Sequence, residues 1–80
     1  MNRNLDDLLS IIAPVLGAGA GTLDLDSGLD VTPGWDSLKN MEVLLQVEQL
    51  FRVRFTAEEL MALHSVRGIH ACLRAKSLID

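Results

Sequence analysis

The chain has 80 residues, of which 49% are hydrophobic and three are aromatic, so it can form one domain, residues 1–80, with a small core of helices rather than sheets. Its formal charge is −4, and the negative charge is concentrated in residues 1–36, where six Asp accompany a single Arg. An acidic chain without a basic cluster disfavours nucleic acid and anionic membranes as partners, because Lys and Arg supply most of the affinity for phosphate groups.

The sequence also predicts a compartment. One cysteine, Cys72, can form neither an internal disulfide nor a cysteine-based zinc site, which favours a reducing environment. The first residues, Met1–Asn4, lack the basic-then-apolar pattern of a secretory signal, and no apolar run is long enough to span a bilayer. We therefore expect a cytoplasmic protein without membrane insertion.

The first predicted element is an amphipathic helix over residues 4–16, with Asn4 as its N-cap and Gly17 as its C-terminal stop. Pro14 lacks the N–H that would bond to Ser10, so we expect the last turn to be kinked or to end early. The prediction depends on apolar residues that recur at intervals of three and four: Leu5, Leu8, Leu9, Ile12, Val15 and Leu16.

Residues 17–36 have no helical period and are rich in turn-forming Gly, Asp and Pro, beginning with a Gly/Ala stretch that we expect to be flexible. Asp24, Asp26 and Asp30 alternate like calcium ligands, but the terminal Glu of a calcium loop is missing, so turn formation is the better interpretation. Four apolar residues are expected to pin this loop across the bundle: Leu23, Leu25, Leu29 and Val31.

The strongest helical pattern runs from Ser37 to Phe51, and its apolar sector is wider than one core face needs. That width indicates a second apolar surface, for a partner or for cargo. Thr56 and Glu59 then predict a capping box for a short helix over residues 57–63.

Ser65 can cap a last helix over residues 66–77, which should bury four residues: Val66, Ile69, Cys72 and Leu73. Cys72 is thereby expected to be a small core residue rather than a nucleophile. The bundle interior is predicted to lack large aromatic side chains and to be formed by aliphatic ones and Met: Leu9, Ile12, Leu44, Leu45, Leu60, Met61, Ile69 and Leu73.

The segment Gly34-Trp35-Asp36-Ser37-Leu38 opens the second helix after a long Asp-rich loop, and in this setting it resembles the acyl and peptidyl carrier protein family. The likeness extends along the chain through further residues: Glu42, Val43, Leu44, Leu45, Glu48, Phe51, Phe55, Glu58, Glu59, Leu60, Ser65 and Val66. The resemblance implies an all-α four-helix bundle with a long first loop and a short third helix. It also implies 4′-phosphopantetheine on Ser37, taken from coenzyme A by a phosphopantetheinyl transferase.

By the same resemblance the second helix is the recognition helix for acyl-activating and acyl-transferring enzymes, and the chain itself is a non-catalytic monomer without a metal site. The partner-docking positions carried over are Asp36, Leu38, Met41, Glu42, Leu45 and Glu48. Lys39, Gln46 and Gln49 depart from the strongly acidic helix of fatty-acid-synthesis carriers, and Arg52 and Arg54 follow. These departures favour a dedicated carrier in a specialised pathway.

The position of Ser37 suits this chemistry, because the free N–H groups and positive dipole end of a helix N-terminus stabilise a phosphodiester. The alternative is that Asp36 and Ser37 only cap the helix. Trp35 is either a partner anchor or a residue packed on the bundle.

Three classes of function stay open. The first is a carrier of fatty, polyketide or other acyl groups, with an aminoacyl or peptidyl carrier as its variant, and the second is a helical interaction module without an arm. The third, a small hydrolase using Ser37, is disfavoured because no base–orienter pair is apparent and 80 residues leave little room for a substrate pocket. His64 and His70 lie six apart, which is not one helix face, so they do not indicate a metal site.

Overall fold

The computed structural model describes residues 3–80, apart from the side chain of Ala20. In this part of the chain, four α-helices are joined by one long and two short connections. The helices are α1 (Leu5–Leu16), α2 (Ser37–Phe51), α3 (Ala57–Ala62) and α4 (Val66–Ala75), and the long loop contains a 3-10 turn at Ala20–Thr22. This is the expected all-α bundle with a long first loop and a short third helix. Met1 and Asn2, part of the segment used to argue against a secretory signal, lie outside the described residues.

Each α-helix begins at a side chain that accepts a hydrogen bond from a backbone N–H three residues later, which satisfies one of the free donors of the first turn. The four N-caps are Asn4, Asp36, Thr56 and Ser65. The predicted capping box between Thr56 and Glu59 is confirmed, with both bonds present. The helix starts could therefore be predicted residue by residue.

Pro14 neither shortens nor ends α1, contrary to expectation. The helix continues to Leu16, and Gly17 closes it in the left-handed region at φ 69°, donating its N–H to the carbonyls of Ala13 and Pro14. Ser10 and Pro14 are both exposed, so solvent can bond the carbonyl that the missing proline N–H leaves free. At the other end of the chain, α3 and α4 stop one and two residues earlier than predicted.

The core lies where α1 contacts α2 and α4, and it is mainly aliphatic. Its largest fully buried aliphatic side chains are Leu8, Ile12, Val43, Leu44, Val47, Val66, Ile69 and Leu73. The expectation of an interior without large aromatics is wrong, because Trp35, Phe51 and Phe55 are all buried in this core. Two of these aromatic side chains come from the loop and the α2–α3 connector, outside the helical periodicity that the sequence analysis used.

Four further burial predictions are wrong. Leu45 is 54% exposed because it lies seven residues after Leu38, on the outer face of α2. Met61 is 77% exposed because six-residue α3 has one inner face, which Leu60 occupies. Val31 lies exposed in a turn instead of pinning the loop, and Cys72 is only half-buried at the edge of the core.

Candidate functional site

Ser37 is the first residue of α2, and its side chain is exposed to solvent. The cap of this helix is Asp36, whose Oδ1 accepts the Lys39 N–H at 2.8 Å, while the Asn40 N–H donates to the Asp36 carbonyl at 2.8 Å and begins the helical ladder. None of the described residues forms a hydrogen bond with the Ser37 hydroxyl. Since the capping role is taken by Asp36, that hydroxyl is free for chemistry.

The other four serines of the chain are placed differently. Ser27 is buried and its Oγ accepts the Asp24 N–H at 2.9 Å, and the Ser65 Oγ accepts the Gly68 N–H at 3.0 Å as the cap of α4. Ser10 lies in the middle of α1, and Ser77 follows α4 in a left-handed conformation. Ser37 alone among the five combines an exposed hydroxyl with the N-terminal turn of a helix.

The backbone before Ser37 is held by a buried side-chain network. Trp35 is 2% exposed, and its indole Nε1 donates to Asn40 Oδ1 at 2.9 Å; the Asn40 Nδ2 in turn donates to the Leu63 carbonyl at 3.1 Å. The network joins the end of the loop, the first turn of α2 and the end of α3. Trp35 is thus a residue packed on the bundle, and sequence reasoning missed Asn40.

The buried role of Asn40 could have been recognised from its position in the sequence. It shares the inward side of α2 with Val43, Leu44 and Val47 at the spacing of one helix face, which is an unusual position for an amide side chain unless it has buried partners.

The rest of the loop is fastened to the α3–α4 connection by backbone hydrogen bonds. The Leu29 N–H donates to the His64 carbonyl at 2.8 Å, and Val66 and Arg67 donate to the carbonyls of Ser27 and Leu25 at 3.0 and 3.1 Å. Two of the first N–H groups of α4 therefore find their partners in the loop. This pairing keeps the loop against the bundle and leaves Ser37 at its exposed end.

Of the six predicted docking residues, Asp36 is the exposed cap of α2, and the other five fall into two groups. Leu38, Met41 and Leu45 are exposed at one helix face beyond Ser37, with Leu38 69% exposed, and Glu42 lies exposed beside them. Glu48 is half-buried, and its Oε2 accepts the Phe55 N–H at 2.8 Å, so it ties α2 to the following connector.

Charge near Ser37 is mostly negative. Asp30 and Asp36 are exposed, and the nearest cation along the chain, Lys39, is paired with Glu42 at 3.2 Å. A phosphodiester on Ser37 would gain from the positive end of α2, while Asp36 would oppose it with a like charge. Beside Ser37 the exposed carboxylate of Asp36 favours a basic or metal-containing partner surface at this end of α2.

A second polar cluster joins α3 to α4. The Glu59 carboxylate accepts the Thr56 N–H at 2.8 Å and the Cys72 S–H at 3.2 Å, and it pairs with Lys76 at 3.1 Å. These contacts, the Thr56 bond first, lower the pKa of Glu59 to about 2. Burial and then the Glu59 carboxylate raise the pKa of Cys72 to about 11, so this thiol stays protonated and is a poor nucleophile.

Two open grooves flank α2. One, of about 410 Å³, lies between α1 and α2 and includes Ile11, Val15 and Leu50; the other, of about 500 Å³, includes Leu45 and Val53.

Residues 3–80 contain no group of three or more His, Cys, Asp or Glu close enough to hold a metal ion. None of the helices in that range has the length and apolar character that a bilayer crossing needs.

A known protein family matches most of the chain. The family model for the phosphopantetheine attachment site matches residues 6–73, which include all of α2 and α3 and most of α1 and α4. No curated protein matches the chain. The residues present fit the prosthetic group, because an unbonded serine hydroxyl lies in the open at a helix N-terminus.

Because that match covers well over half of the sequence and the described residues form the corresponding helical bundle, the chain belongs to the phosphopantetheine attachment-site family, whose members are non-catalytic carriers of covalently bound 4′-phosphopantetheine.

Proposed function

We propose that Ser37 is the residue that bears the 4′-phosphopantetheine arm and that the chain is an acyl carrier protein of a dedicated pathway. The observation that carries the proposal is the exposed Ser37 hydroxyl at the first position of α2, left free because Asp36 supplies the cap. The alternative, that both residues only cap the helix, gives Ser37 no role, since the capping bond belongs to Asp36.

The modification is a group transfer from coenzyme A catalysed by a phosphopantetheinyl transferase. The Ser37 Oγ forms a bond to the pantetheine-side phosphorus of the coenzyme A pyrophosphate, the pyrophosphate P–O bond breaks, and adenosine 3′,5′-bisphosphate leaves. A base on the transferase takes the hydroxyl proton. The arm, when bound, supplies a terminal thiol that carries acyl groups as thioesters, and tethering raises the concentration of that thioester at a docked enzyme.

This chain's own residues hold the attachment point. The Trp35–Asn40 bond fixes the backbone just before Ser37, and the loop's bonds to the α3–α4 connection prevent it from folding over the serine. The exposed face of Leu38, Met41 and Leu45 lies directly beyond the attachment point. An enzyme that receives the arm can therefore dock on α2 while its active site faces Ser37.

The proposal that this carrier serves a dedicated pathway depends on the charges of α2. Glu42 is paired with Lys39, and half-buried Glu48 accepts the Phe55 N–H, so α2 has few freely exposed carboxylates that could attract the basic surfaces of general fatty-acid enzymes. One observation favours an aminoacyl or peptidyl carrier as a second candidate. The core includes buried Trp35, Phe51 and Phe55, and rigid aromatic side chains make way for an inserted acyl chain less easily than aliphatic ones.

The test is transfer of the arm to the apo protein. Wild type, Ser37→Ala and the control Ser10→Ala, each shown to fold by circular dichroism, are incubated with a broad-specificity transferase, coenzyme A and Mg²⁺. Intact-mass analysis should show one arm on wild type and on Ser10→Ala, and none on Ser37→Ala. An arm on Ser37→Ala would place the site elsewhere, and an unmodified wild type would favour the helical interaction module without an arm.

A further inference from the structure

We propose that Arg52 and Arg54, at the end of α2 remote from Ser37, form a cationic half of the partner-docking surface and bind carboxylates of the acyl-activating enzyme that loads this carrier. The proposal rests on the proposed carrier function and adds the chemistry of the partner. Three features of the structure support it: the backbone of Arg52, the free charges of both arginines, and the groove beside them.

Arg52 has a backbone conformation that an L-residue adopts at a cost. It is the C-cap of α2 at φ 54° and ψ 51°, in the left-handed region, and its N–H donates to the Glu48 carbonyl. Gly is the usual residue at the left-handed end of a helix because it lacks the Cβ that makes the conformation unfavourable. Asp30 and Ser77 share this conformation, but only Arg52 places a long, charged side chain at a helix end that favours Gly, which is consistent with a use for its guanidinium outside the helix.

The two guanidinium groups are not used within the described fold. Three cations of residues 3–80 have carboxylate partners within 3.2 Å: Lys39, Arg67 and Lys76. Arg3 lies over the Phe51 ring. Arg52 and Arg54 are exposed and form no ion pair with any described residue, which is also true of Arg74 on α4, but only the first two lie at the end of α2 beside an apolar groove. Glu48, four residues before Arg52, accepts the Phe55 N–H instead, and Glu58, four residues after Arg54, forms no ion pair with a described residue.

The groove gives these charges an apolar neighbour. It has a volume of about 500 Å³ and is lined by Leu45, Glu48, Gln49, Val53 and Arg54. Leu45 belongs both to this groove and to the exposed face that begins at Leu38, so the apolar surface continues from Ser37 to the arginines. An exposed apolar strip that ends in unpaired cations has the composition of a protein interface rather than that of an ordinary solvated helix.

The partner's chemistry follows from charge complementarity. Arg52 follows Ser37 by 15 positions, which corresponds to about 22 Å along the axis of α2, a span that a standard interface covers. Opposite Asp36 the partner presents basic groups or a metal ion. Opposite the arginines it presents Asp or Glu beside an apolar residue that enters the groove. An enzyme with a uniformly basic docking surface is repelled at the arginine end.

The experiment measures loading of the holo protein by the acyl-activating enzyme of the source genome that loads wild type with the highest kcat/KM. The variants are Arg54→Glu, Arg52→Ala and Arg52→Gly, with Arg74→Glu, an exposed arginine on α4, as the matched control for net charge. All are first converted to the holo form and checked by intact mass. A wild type that gains no arm would overturn the proposed function and with it this proposal, whereas a wild type that gains the arm but is loaded no better than its arginine variants would overturn this proposal alone.

We expect Arg54→Glu to raise KM about tenfold with kcat nearly unchanged, and Arg74→Glu to leave both within about twofold. Arg52→Ala and Arg52→Gly should raise KM equally, while the Gly variant melts at least about 4 °C higher than the Ala variant because it alone relieves the strain. A reciprocal Asp→Arg or Glu→Arg change on the enzyme should restore loading of Arg54→Glu. Equal effects of Arg54→Glu and Arg74→Glu, no effect of either Arg52 variant on KM, or the absence of any acyl-activating enzyme that loads the chain would overturn the proposal.

Discussion

Trp35 and Asn40 are joined by a buried hydrogen bond of 2.9 Å that connects the end of the long loop to the first turn of α2. Asn40 is 5% exposed and uses its other amide atom to bond the Leu63 carbonyl at 3.1 Å. Asn40→Leu would leave the indole N–H and the Leu63 carbonyl without partners in the core. At about 1–3 kcal/mol for each unsatisfied group, we expect a loss of about 2–6 kcal/mol in the free energy of unfolding, measured with urea.

A double-mutant cycle provides the control for this network. Trp35→Phe removes the indole N–H and, because phenyl is smaller than indole, also leaves a small cavity in the core, so it should cost at least about 1–3 kcal/mol in the free energy of unfolding. Because both variants break the same bond, the double variant should lose clearly less than the two single losses together. Strictly additive losses would mean that the 2.9 Å bond contributes nothing to stability.

Gly28 and Gly21 provide a matched pair in the same loop. A Cβ on Gly28 would lie 2.7 Å from the His64 carbonyl oxygen and 3.1 Å from the Ser65 Cβ, whereas a Cβ on Gly21 meets nothing within 4 Å. The His64 carbonyl cannot move away freely, since it accepts the Leu29 N–H at 2.8 Å. Gly28→Ala should therefore cost about 1–3 kcal/mol and lower Tm by at least about 4 °C.

Gly21→Ala should instead leave Tm unchanged or raise it by a few degrees, because Ala reduces the entropy of the unfolded chain by the equivalent of about 0.4–1 kcal/mol. Both values come from thermal unfolding of the apo protein. If both variants have the same Tm as wild type, the loop does not contact the α3–α4 connection in solution.

The helices of this protein could be predicted because their signals are local. Asn4, Asp36, Thr56 and Ser65 precede apolar-periodic segments, and each of them caps a helix as predicted. A cap needs one side chain and its own next turn, so no tertiary context is required. The same locality explains why the position of Ser37 at the start of α2 was predicted correctly.

The parts that sequence did not predict depend on contacts distant in the chain. Asn40 is buried because its amide satisfies groups five and 23 residues away, and no helical pattern contains that information. Leu45 is apolar yet lies outside, since whether a wide apolar sector faces a core or a partner is decided by which elements cover it. The folded position of Trp35 likewise depends on its bond to Asn40.

The Glu59 cluster makes stability depend on acid pH in a defined window. The pKa of Glu59 falls from its ordinary 4.5 to about 2 in the folded protein, chiefly because the Thr56 N–H and the Cys72 S–H donate to the carboxylate, with Lys76 nearby. Because folding lowers this pKa, the ionised Glu59 carboxylate stabilises the folded protein at pH values above 4.5. This stabilisation is lost as the pH falls from 4.5 to 2. Glu59→Gln should therefore lower Tm at pH 7, and its difference from wild type should vanish towards pH 2.

Glu58 serves as the control for that profile, since it precedes Glu59 on α3, is exposed, and forms no ion pair with the described residues. Glu58→Gln should follow the wild-type Tm curve at every pH apart from a small constant offset. A Glu59→Gln difference that persists unchanged at pH 2 would show that the carboxylate acts through its shape and hydrogen bonds and not through its charge.

The bundle core or the groove between α1 and α2 can shelter an attached acyl chain from water, provided that the chain has enough apolar surface. Each methylene removed from water contributes about 0.8 kcal/mol at most, and opening a close-packed core offsets part of that. We expect an octanoyl group attached through Ser37 to raise Tm by at least about 4 °C over the holo form with a free thiol. An acetyl or aminoacyl load, with too little apolar surface, should leave Tm unchanged.

The groove can be separated from the core by substitution. Leu50, which is 45% exposed, lines the groove between α1 and α2, whereas Met61 lies exposed on α3 away from that groove. If the acyl chain lies along the groove, Leu50→Gln should abolish the rise in Tm and Met61→Gln should preserve it. If both variants keep the rise in Tm, the acyl chain enters the core instead of the groove. Equal melting temperatures for the free-thiol, acetyl, octanoyl and aminoacyl forms would mean that arm and cargo stay in solvent, and would favour the aminoacyl or peptidyl carrier.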